Sequence, residues 1–369
     1  MKQNIVIFGG SFDPIHIGHV KMALNVSEMY NADVYFVPAK ISIWKNESAS
    51  KEDKLEMIRL AIEDYPRLKI DTFEFDRKED QTHSIITVRY FKEKYPDDNL
   101  YFLLGADQAA SFHKWEDCLE LSKLARILYY PRNDIQIPIN NVINYQMEFV
   151  DAGLYQASAT SVRTLNSLYI PEKVLNYIID HDLYFVKKVK DLYTKERYEH
   201  ALSVARLAID IARSNNLLYD SLLSYFFLAG YLHDIGKKMS KEEQRVIMAE
   251  HFPEFRDLPE FAYHQFVGAY LATEIFGIDD VFILDAIKYH ATGRGLMTTL
   301  EKIIYAADKI EPTRGYDSSA LIELMKQDCD KGFIEVLKHN IEYIRSTGKS
   351  TSNKLTDECI RFYLGDEYL

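Results

Sequence analysis

The sequence of 369 residues contains few cysteines and no basic region, and both absences restrict what the protein can be. Its three cysteines, Cys118, Cys329 and Cys359, are odd in number and lie far apart in the chain. They fit neither a disulfide framework nor a zinc knuckle, so a reducing compartment is expected. The formal net charge is −12, and both halves of the chain are acidic. Because binding to a phosphate backbone needs clustered positive charge, nucleic acid is not expected as a partner.

Long apolar segments are also absent. The longest apolar run, LLSYFFLAGYLH, is well short of the roughly 20 residues that a membrane-spanning helix needs. The amino-terminal MKQNIVIFGG enters a strand-like run at once and has no signal-peptide pattern. The sequence therefore predicts a cytoplasmic protein that has no membrane partner.

The patterns that are present change character near Val186. Before this residue, short β-rich runs alternate with helical stretches such as KEDKLEMIRLAIEDY. Six runs have the pattern of strands: NIVIFG, ADVYFVPA, KIDTFEF, NLYFLLGA, ARILYYP and QMEFVDA. Most of them are continuously apolar, as strands covered on both faces tend to be. A doubly wound parallel sheet of the α/β class is therefore predicted.

Beyond Val186 the sequence has almost entirely helical patterns. Apolar residues recur at helical spacing in RYEHALSVARLAIDIARSN and LEKIIYAADKIEP, and several such segments end at Gly or Pro. At 369 residues the chain is also longer than one compact core usually holds. We therefore expect an α/β domain over residues 1–187 and an all-α domain over residues 192–369.

The segment GGSFDPIHIGH follows the first predicted strand and precedes a helix that is expected to begin near His19. Gly9 and Gly10 let backbone amides approach a phosphate, and the positive end of the helix points to the same place. His16 and His19 are three residues apart, so both can hydrogen-bond an α-phosphate during in-line attack. Electrostatic stabilisation of phosphoryl transfer is predicted here, rather than covalent catalysis.

A second polar segment, SATSVR, lies where a later loop is expected to enter a helix. Ser158 or Thr160 as the helix N-cap, with Arg163 one turn further on, would bind a triphosphate. An ordinary capped helix has the same pattern, so this segment by itself leaves both interpretations open.

Together these motifs resemble those of bacterial nicotinate-nucleotide adenylyltransferases. GGSFDPIHIGH, LLGAD followed by HKW, and SATSVR occur in the order and spacing of that family, over residues 1–185. The resemblance implies a Rossmann-like nucleotidyltransferase fold and transfer of AMP from ATP to nicotinate mononucleotide, with Mg²⁺ as cofactor. It also implies a set of ATP-binding residues, namely Gly9, Gly10, Ser11, Phe12, His16, His19, Gly105, Asp107, Ser158, Thr160 and Arg163.

The same resemblance implies that the acceptor substrate binds to Lys45, Thr82, His83 and Trp115. An indole face stacked on the pyridine ring makes physical sense for this ligand, and a lysine would neutralise its phosphate. Two segments depart from the family: IWK stands where a His-Lys pair is usual, and THSIITV replaces a stretch led by Ser-Tyr-Thr. Another acceptor, such as phosphopantetheine, stays an alternative, although Trp115 and SATSVR argue against it. The expected catalytic residues of this half are His16, His19, Lys45 and Arg163.

The helical half contains a different set of polar residues. Four histidines and two aspartates lie on or at the ends of predicted helices: His200, His233, Asp234, His264, His290 and Asp308. So many such groups in one helical domain are difficult to bury without a cation to share. Imidazoles with carboxylates suit Mn, Fe, Co or Zn. One or two ions are expected, with iron or manganese preferred and Asp234 as the bridge, and they would activate water for attack on phosphorus.

This pattern resembles the HD phosphohydrolase superfamily, which is named after its His-Asp doublet. YEHALSVA, LHDIGK and AIKYHATGRGLMTTLEKIIYAADKIEPTR are similar to the HD-type symmetrical diadenosine tetraphosphate hydrolases, over residues 197–314. The resemblance implies cleavage of diadenosine tetraphosphate to two ADP, with Asp234 and Lys237 as catalytic residues. The candidates for binding the polyphosphate are Lys237, Arg294 and Arg314.

Other activities stay open for this half: hydrolysis of guanosine tetraphosphate, deoxynucleoside triphosphates or cyclic dinucleotides, or nucleotide sensing without catalysis. The segment KKMSKEE contains K-M-S-K, which together with H-I-G-H is a signature of class I aminoacyl-tRNA synthetases. That interpretation is rejected because the segment follows LHDIGK in the helical half and because the chain is acidic. The sequence therefore predicts a bifunctional enzyme, and homo-oligomerisation is left open.

Overall fold

A computed structural model describes residues 2–40, 49–79, 83–130, 135–151, 153, 157–219, 222–348 and 353–369. The chain divides into two compact units. The first comprises Met1–Arg163 and Tyr169–Tyr184, and the second comprises Thr164–Leu168 and Phe185–Leu369. The chain therefore passes between the units three times. The domain limits 1–187 and 192–369 stay a prediction.

Within the described residues, the first unit contains a six-stranded sheet in which neighbouring strands are parallel. The strands are β1 (Asn4–Gly10), β2 (Ala32–Pro38), β3 (Leu68–Ile70), β4 (Asn99–Gly105), β5 (Arg126–Tyr130) and β6 (Glu148–Phe149). Their order across the sheet is β3-β2-β1-β4-β5-β6. Because the order runs outward in both directions from β1 and β4, the predicted doubly wound α/β fold is confirmed.

Helices connect these strands and cover the sheet. The described helices of this unit are α1 (Ile17–Met29), α2 (Lys51–Ile62), α3 (Phe73–Asp76), α4 (Ser84–Lys94), α5 (Ala106–Ser111), α6 (Cys118–Leu124), α7 (Ile139–Asn144), α8 (Ala159–Arg163) and α9 (Glu172–Asp180). Val6 and Ile7 of β1 point to opposite faces of the sheet, and both are completely buried. Both faces are therefore covered there, which explains why the strand sequence is continuously apolar.

The strand predicted over KIDTFEF ends early. It stops at Ile70, and Phe73–Asp76 forms a single helical turn instead. The carboxylate of Asp71 accepts a hydrogen bond from the backbone N–H of Phe73 at 3.0 Å. This local bond turns the chain out of the extended conformation, which is the usual effect of an aspartate in a turn. The prediction was therefore wrong for the second half of this segment.

The turn buries Glu74, and the change Glu74→Gln is expected to weaken the pH dependence of stability. Burial raises the pKa of Glu74 from an ordinary 4.5 to about 7, against the opposing effects of Thr87 and Arg77. A carboxyl with a raised pKa contributes stability fully below about pH 4.5 and loses that contribution as the pH rises through about 7. The loss amounts to about 3 kcal/mol at 1.36 kcal/mol per pKa unit.

The measurement is denaturant unfolding at about pH 5 and about pH 8, where the wild-type protein should lose more stability than the Glu74→Gln variant. Glu52→Gln, at an exposed carboxylate of α2, is the matched control and should behave like the wild type. An equal pH dependence in all three proteins would contradict the prediction.

In the second unit the described regular elements are helical, which confirms the predicted all-α character. They are α10 (Val186–Asp191), α11 (Lys195–Ser214), α12 (Leu222–Leu232), α13 (Lys241–His251), α14 (Tyr263–Phe276), α15 (Val281–Tyr289), α16 (Thr299–Ile310), α17 (Ser319–Gln327), α18 (Cys329–Ser346) and α19 (Lys354–Leu364). No helix among the described residues combines the length and the apolar character needed to cross a membrane.

Two glycines allow the helices that carry the polar residues to approach closely. A Cβ atom on Gly230 would lie 2.7 Å from the Cα of Ala205, at the contact between α12 and α11. A Cβ atom on Gly236, between α12 and α13, would lie 2.3 Å from the carbonyl oxygen of His264 on α14. Only glycine permits backbones to come this close. Three segments that carry predicted metal ligands are thus brought together.

Candidate functional sites

The first candidate site lies at the carboxyl ends of β1 and β4, where the strand order of the sheet reverses. Ligands of open α/β sheets bind in the crevice at such a point. Gly9 and Gly10 end β1, and Gly105 ends β4. A Cβ atom on Gly10 would lie 2.9 Å from the ring of Phe12, and one on Gly105 would lie 2.6 Å from Oδ1 of Asp107. Glycine at both positions therefore lets the following side chains lie against the strand ends.

His16 and His19 form a reciprocal cap at the start of α1. The backbone N–H of His19 donates to Nδ1 of His16 at 3.3 Å, and the backbone N–H of His16 donates to Nδ1 of His19 at 3.2 Å. The two rings stack with their centroids 3.5 Å apart. The helix begins at Ile17, slightly earlier than predicted, because the His16 side chain satisfies a backbone donor at its amino terminus.

This cap determines where the two imidazoles carry their protons. A ring nitrogen that accepts a hydrogen bond has no proton, so the neutral form of each ring is protonated on Nε2. His16 is buried, and the half-buried ring of His19 lies edge-on to Phe12, which is itself buried. Phe12 thus supports His19 from within the core. Each histidine has an Nε2–H group of the kind that donates to a phosphate oxygen.

Arg163 connects the SATSVR segment with the first motif. Its Nη1 donates to the carbonyl oxygen of Asp13, and its Nη2 donates to Oγ1 of Thr160 at 3.0 Å. Ser158 is the residue that caps α8, because its Oγ accepts a hydrogen bond from the backbone N–H of Ser161 at 3.0 Å. The structure therefore brings the two predicted phosphate-binding segments of this unit into contact.

The loop of the first motif is held by the buried side chain of Asp13. Its Oδ1 accepts hydrogen bonds from the hydroxyl of Tyr184 at 2.7 Å and from the backbone N–H of Ala49 at 3.2 Å. Nζ of Lys54 lies 3.8 Å from its Oδ2. Burial lowers the pKa of Lys54, and the Asp13 carboxylate offsets part of this effect. The half-buried Ser11 therefore belongs to a loop whose backbone is tied down by buried polar contacts.

The residues expected to bind the acceptor substrate are only partly described. Lys45 and Thr82 lie outside the described residues. His83 is exposed, and its Nε2 lies 3.2 Å from Oε2 of Glu116. Trp115 is half-buried and packs against the apolar core of the first unit. This contact places His83 beside the residue that follows Trp115.

The second candidate site brings together all six residues that the sequence predicts as metal ligands. They come from five helices or their ends: His200 on α11, His233 and Asp234 after α12, His264 on α14, His290 after α15 and Asp308 on α16. All are buried except His200, which is half-buried. In three sets of residues, one ligand atom from each side chain lies within 4.8 Å of the others: His200–His233–Asp234, His233–His290–Asp308 and Asp234–His264–His290.

Three of the four histidines are anchored in the same way. Each donates from Nδ1 to the backbone carbonyl oxygen three residues earlier in the chain. The pairs are His233 with Gly230 at 2.7 Å, His264 with Phe261 at 2.7 Å and His290 with Ile287 at 2.8 Å. Because a carbonyl oxygen only accepts, Nδ1 carries the proton and Nε2 has a lone pair. The anchors therefore select the tautomer that a metal ligand requires.

The Nε2 atoms meet around Asp234. Its Oδ1 lies 3.3 Å from Nε2 of His290 and 3.5 Å from Nε2 of His264, and these two nitrogens are 3.2 Å apart. Nε2 of His233 and Oδ1 of Asp234 are buried and have no hydrogen-bond partner within the described part of the chain. Buried polar atoms are normally paired, so these atoms need an explanation. A cation among inward-facing lone pairs supplies it, and the residues fit a transition metal.

Asp308 lies between the remaining histidines. Its Oδ1 is 3.1 Å from Nε2 of His200 and 3.6 Å from Nε2 of His233. Oδ2 of Asp234 is also 3.6 Å from Nε2 of His233. Asp234 therefore presents one oxygen to His264 and His290 and the other to His233.

The charge states of four groups in this cluster are those of metal ligands, whereas His200 differs from them. Burial opposes protonation of His200, but its hydrogen bonds to Asp308 and Glu311 outweigh this effect and raise its pKa. Burial lowers the pKa of His264 well below its ordinary value and lowers that of His290 to about 4. Burial also opposes ionisation of Asp234 and Asp308, but the positive charges and hydrogen bonds around them outweigh it. The pKa of each of these carboxyls is therefore well below its ordinary value. Neutral imidazoles beside ionised carboxylates are the forms that coordinate metals.

Two of the three predicted polyphosphate-binding residues lie beside the cluster. Nζ of Lys237 donates to Oδ2 of Asp234 at 2.7 Å, and the guanidinium of Arg314 donates to the carboxylate and the carbonyl oxygen of Asp308. Both line a cavity of about 460 Å³ together with His200. Two of the predicted metal ligands, His200 and Asp234, line this cavity.

The third, Arg294, makes different contacts. Its Nε donates to Oε1 of the buried Glu301 at 2.7 Å, and its Nη2 donates to Oδ2 of Asp285 at 3.0 Å. The guanidinium also lies over the ring of Tyr289, 4.1 Å from the ring centroid. These contacts favour a role for Arg294 in holding α15 and α16 together. The two carboxylates already neutralise the positive charge of the guanidinium, so no phosphate is needed to do so.

Sequence reasoning missed two residues at this site, Arg197 and Glu311. Nη1 of Arg197 lies 3.2 Å from Oδ2 of Asp234, and Oε1 of Glu311 lies 2.8 Å from Nδ1 of His200. Both line the same cavity as Lys237 and Arg314. Arg197 precedes His200 by three residues, and Glu311 follows a predicted ligand by three. Spacing of one helical turn from a ligand was the signal that could have found both.

Comparisons with known proteins assign each half to a class. A family profile described as cytidylyltransferase-like matches residues 7–165, and a profile for the HD domain matches residues 197–313. The chain is therefore an enzyme of a two-domain class, with a nucleotidyltransferase-like domain followed by an HD hydrolase domain.

Two relatives match both domains over almost their whole length. A protein from Mycoplasma genitalium, named probable nicotinate-nucleotide adenylyltransferase/Ap4A hydrolase, is 33% identical over 352 residues, covering 92% of this chain and 98% of that protein. Its namesake from Mycoplasma pneumoniae is 31% identical over 359 residues, covering 94% and 100%. A solved structure from Clostridium acetobutylicum, titled as a predicted HD superfamily hydrolase involved in NAD metabolism, is 29% identical, covers 48% of this chain and 96% of that one, and has a TM-score of 0.43. The chain belongs to the family of proteins named nicotinate-nucleotide adenylyltransferase/Ap4A hydrolase.

Proposed function

We propose that the first unit transfers AMP from ATP to nicotinate mononucleotide, giving nicotinate adenine dinucleotide and pyrophosphate. The observation that carries this proposal is the His16–His19 pair, whose reciprocal cap leaves both rings protonated on Nε2 at the carboxyl end of β1. Arg163 binds the adjoining loop. The names of the Mycoplasma relatives support the same reaction.

In this reaction a phosphate oxygen of nicotinate mononucleotide attacks the α-phosphorus of ATP. The bond from that phosphorus to the β-phosphate oxygen breaks, and the electron pair leaves with pyrophosphate. Because negative charge spreads over the α-phosphate oxygens, His16 and His19 would stabilise the transition state by donating from Nε2. Arg163 and Thr160 would bind the leaving phosphates, and Asp107 would contact the ribose side. Mg²⁺ would supply further neutralisation of the ATP charge.

The acceptor is proposed to bind through Lys45, Thr82, His83 and Trp115. The test is turnover of the full chain with ATP, Mg²⁺ and one of three acceptors: nicotinate mononucleotide, nicotinamide mononucleotide or phosphopantetheine. We expect nicotinate mononucleotide to be preferred, with nicotinate adenine dinucleotide as the product. If phosphopantetheine were the only one of the three acceptors to react, the proposed acceptor would be contradicted, but the proposed transfer of a nucleotide from ATP would not.

We propose that the second unit is a metal-dependent hydrolase that cleaves diadenosine tetraphosphate symmetrically to two ADP. The observation that carries this proposal is the convergence of four imidazoles and two carboxylates around buried atoms that lack protein partners among the described residues. His200, His233, Asp234, His264, His290 and Asp308 would hold one or two ions, with iron or manganese proposed. Such ions would supply Lewis-acid activation of water and of the phosphoryl group.

The cations around the cavity would bind the polyphosphate. Lys237, Arg314 and Arg197 line the cavity beside the ligand carboxylates, so phosphate oxygens that enter it would meet positive charge on several sides. The substrate is thereby oriented, and charge that develops on the leaving phosphate is neutralised. This set of donors suits a long polyphosphate better than an uncharged substrate.

The test is identification of the nucleotide products after addition of Mn²⁺ or Fe²⁺ to metal-free protein. Two ADP are expected from diadenosine tetraphosphate, and ATP plus AMP would contradict symmetrical cleavage. Faster hydrolysis of guanosine tetraphosphate, a deoxynucleoside triphosphate or a cyclic dinucleotide would favour that alternative. No hydrolysis of any of them would favour a sensing domain. The three cysteines are free thiols, which supports the proposal that the enzyme works in the reducing cytoplasm.

A further inference from the structure

One of the four clustered histidines differs from the others in how its Nδ1 is held. His233, His264 and His290 each donate to a carbonyl oxygen of their own helix end, whereas Nδ1 of His200 lies 2.8 Å from Oε1 of Glu311. His200 is thus the histidine whose orientation depends on a side chain from another segment. A substitution can remove that partner, which is not the case for a backbone carbonyl.

Glu311 is itself held firmly. It caps the carboxyl end of α16, one turn after Asp308, and is completely buried. The backbone N–H of Thr313 donates to its Oε2 at 2.7 Å, and the Thr313 hydroxyl donates to its Oε1 at 2.7 Å. With His200 and the Ser203 hydroxyl, four donors converge on the two carboxylate oxygens. The side chain therefore acts as an acceptor at both oxygens and presents a fixed oxygen to His200.

We propose that Glu311 is the positioning residue that makes His200 a metal ligand, an inference that rests on the proposed metal site of the second unit. Because a carboxylate only accepts, Glu311 requires the proton on Nδ1 of His200, which leaves Nε2, 3.1 Å from Oδ1 of Asp308, as the ring atom that would bind an ion. Without an ion this Nε2 donates to Asp308, so a bound ion would take the place of that proton. A carboxylate partner also makes an imidazole a stronger ligand than a carbonyl partner does. In this arrangement Glu311 acts on the metal site through His200.

The substitution Glu311→Gln separates this role from simple space filling. Glutamine has the same shape but only one oxygen. If that oxygen accepts from the Thr313 N–H, the amide NH₂ faces His200 and donates to Nδ1, which moves the imidazole proton to Nε2 and removes the lone pair needed by a metal. If the oxygen faces His200, the NH₂ opposes the Thr313 N–H. Either orientation disturbs His200.

The experiment is titration of metal-free full-length protein with Co²⁺, followed by its visible absorption. We expect Glu311→Gln to weaken Co²⁺ binding by about 10- to 100-fold, the usual effect of losing a partner of a ligating histidine. Glu301→Gln is the matched control, because Glu301 is also completely buried on α16 but bonds Arg294 and the backbone of Thr298 instead of a histidine. Its Co²⁺ affinity should equal that of the wild type.

A double-mutant cycle with His200→Ala shows through which residue Glu311 acts. In the His200→Ala protein, Glu311→Gln should have no further effect on Co²⁺ affinity. If Glu311→Gln does not fold, Thr313→Val, which removes one of the donors that hold Glu311, should weaken Co²⁺ binding in the same direction.

The inference is overturned if Glu311→Gln binds Co²⁺ like the wild type, if Glu301→Gln weakens binding equally, or if the two changes in the cycle are additive. Failure of the wild-type protein to bind Co²⁺ would instead contradict the proposed metal site, and the role of Glu311 with it.

Discussion

Asp234→Ala is expected to abolish hydrolysis by the second unit and to leave adenylyl transfer unchanged. Both oxygens of Asp234 face histidine nitrogens. The substitution therefore removes one predicted ligand from the set His200–His233–Asp234 and from the set Asp234–His264–His290. Even residues that only orient a metal ligand contribute about 10- to 100-fold to affinity or activity. Loss of a bridging ligand should therefore lower hydrolysis by more than about 100-fold and reduce the metal content of the purified protein.

The measurements are metal content, release of ADP and formation of nicotinate adenine dinucleotide, all on the full chain. Asp210→Ala is the control. Asp210 is an exposed aspartate of α11, and its carboxylate forms a salt bridge with Arg213 of the same helix. It should retain both activities. An Asp234→Ala protein with wild-type metal content and hydrolysis would show that the buried cluster is not a metal centre.

His19→Ala is expected to lower adenylyl transfer by about 10²- to 10³-fold, the usual effect of removing one preorganised donor to a developing negative charge. Hydrolysis by the second unit should be unchanged. The alanine variant also loses the acceptor that Nδ1 offers to the backbone N–H of His16, and loss of a helix cap costs about 1 kcal/mol of stability.

His19→Asn distinguishes the two effects of this substitution. The asparagine oxygen can accept from the backbone N–H of His16, so the stability lost in the alanine variant should return. It cannot place a donor where the imidazole Nε2 lies, so the activity should not return. Thermal unfolding and steady-state turnover with ATP and nicotinate mononucleotide provide the two measurements. An asparagine variant with wild-type turnover would contradict the proposed role of the Nε2 donor.

The fold could be predicted from the sequence because burial determines local pattern. β1, β2 and β4 are covered on both faces, so their continuous apolar runs identified them as parallel strands. The end of β3 could not be predicted in this way, because it depends on one hydrogen bond from the backbone of Phe73 to Asp71. The exact start of α1 depends similarly on a histidine side chain acting as a cap, which is an uncommon residue for that position.

The residues of the second site were predictable as a set because six such groups are difficult to bury apart. Their proton positions were not predictable, since these follow from carbonyl groups that helix ends place within reach of Nδ1. Arg197 and Glu311 were missed because an ordinary surface arginine and an ordinary helix-terminal glutamate have the same sequence pattern. Arg294 was proposed for phosphate binding on its position alone, and its partners Glu301 and Asp285 became visible only in the packed helices.

The chain passes three times between the two units, and this path limits how the units can be separated by protein engineering or by gene fission. The segment Thr164–Leu168 belongs to the helical unit. Its Leu165 is completely buried, and the backbone N–H of Leu168 donates to Oγ of Ser224. A break before this segment strips the nucleotidyltransferase of α9 and of Tyr184, whose hydroxyl steadies Asp13. A break after Tyr184 removes Thr164–Leu168, with its buried Leu165, from the helical unit. A single cut therefore removes from one unit or the other a segment that the division of the chain assigns to it.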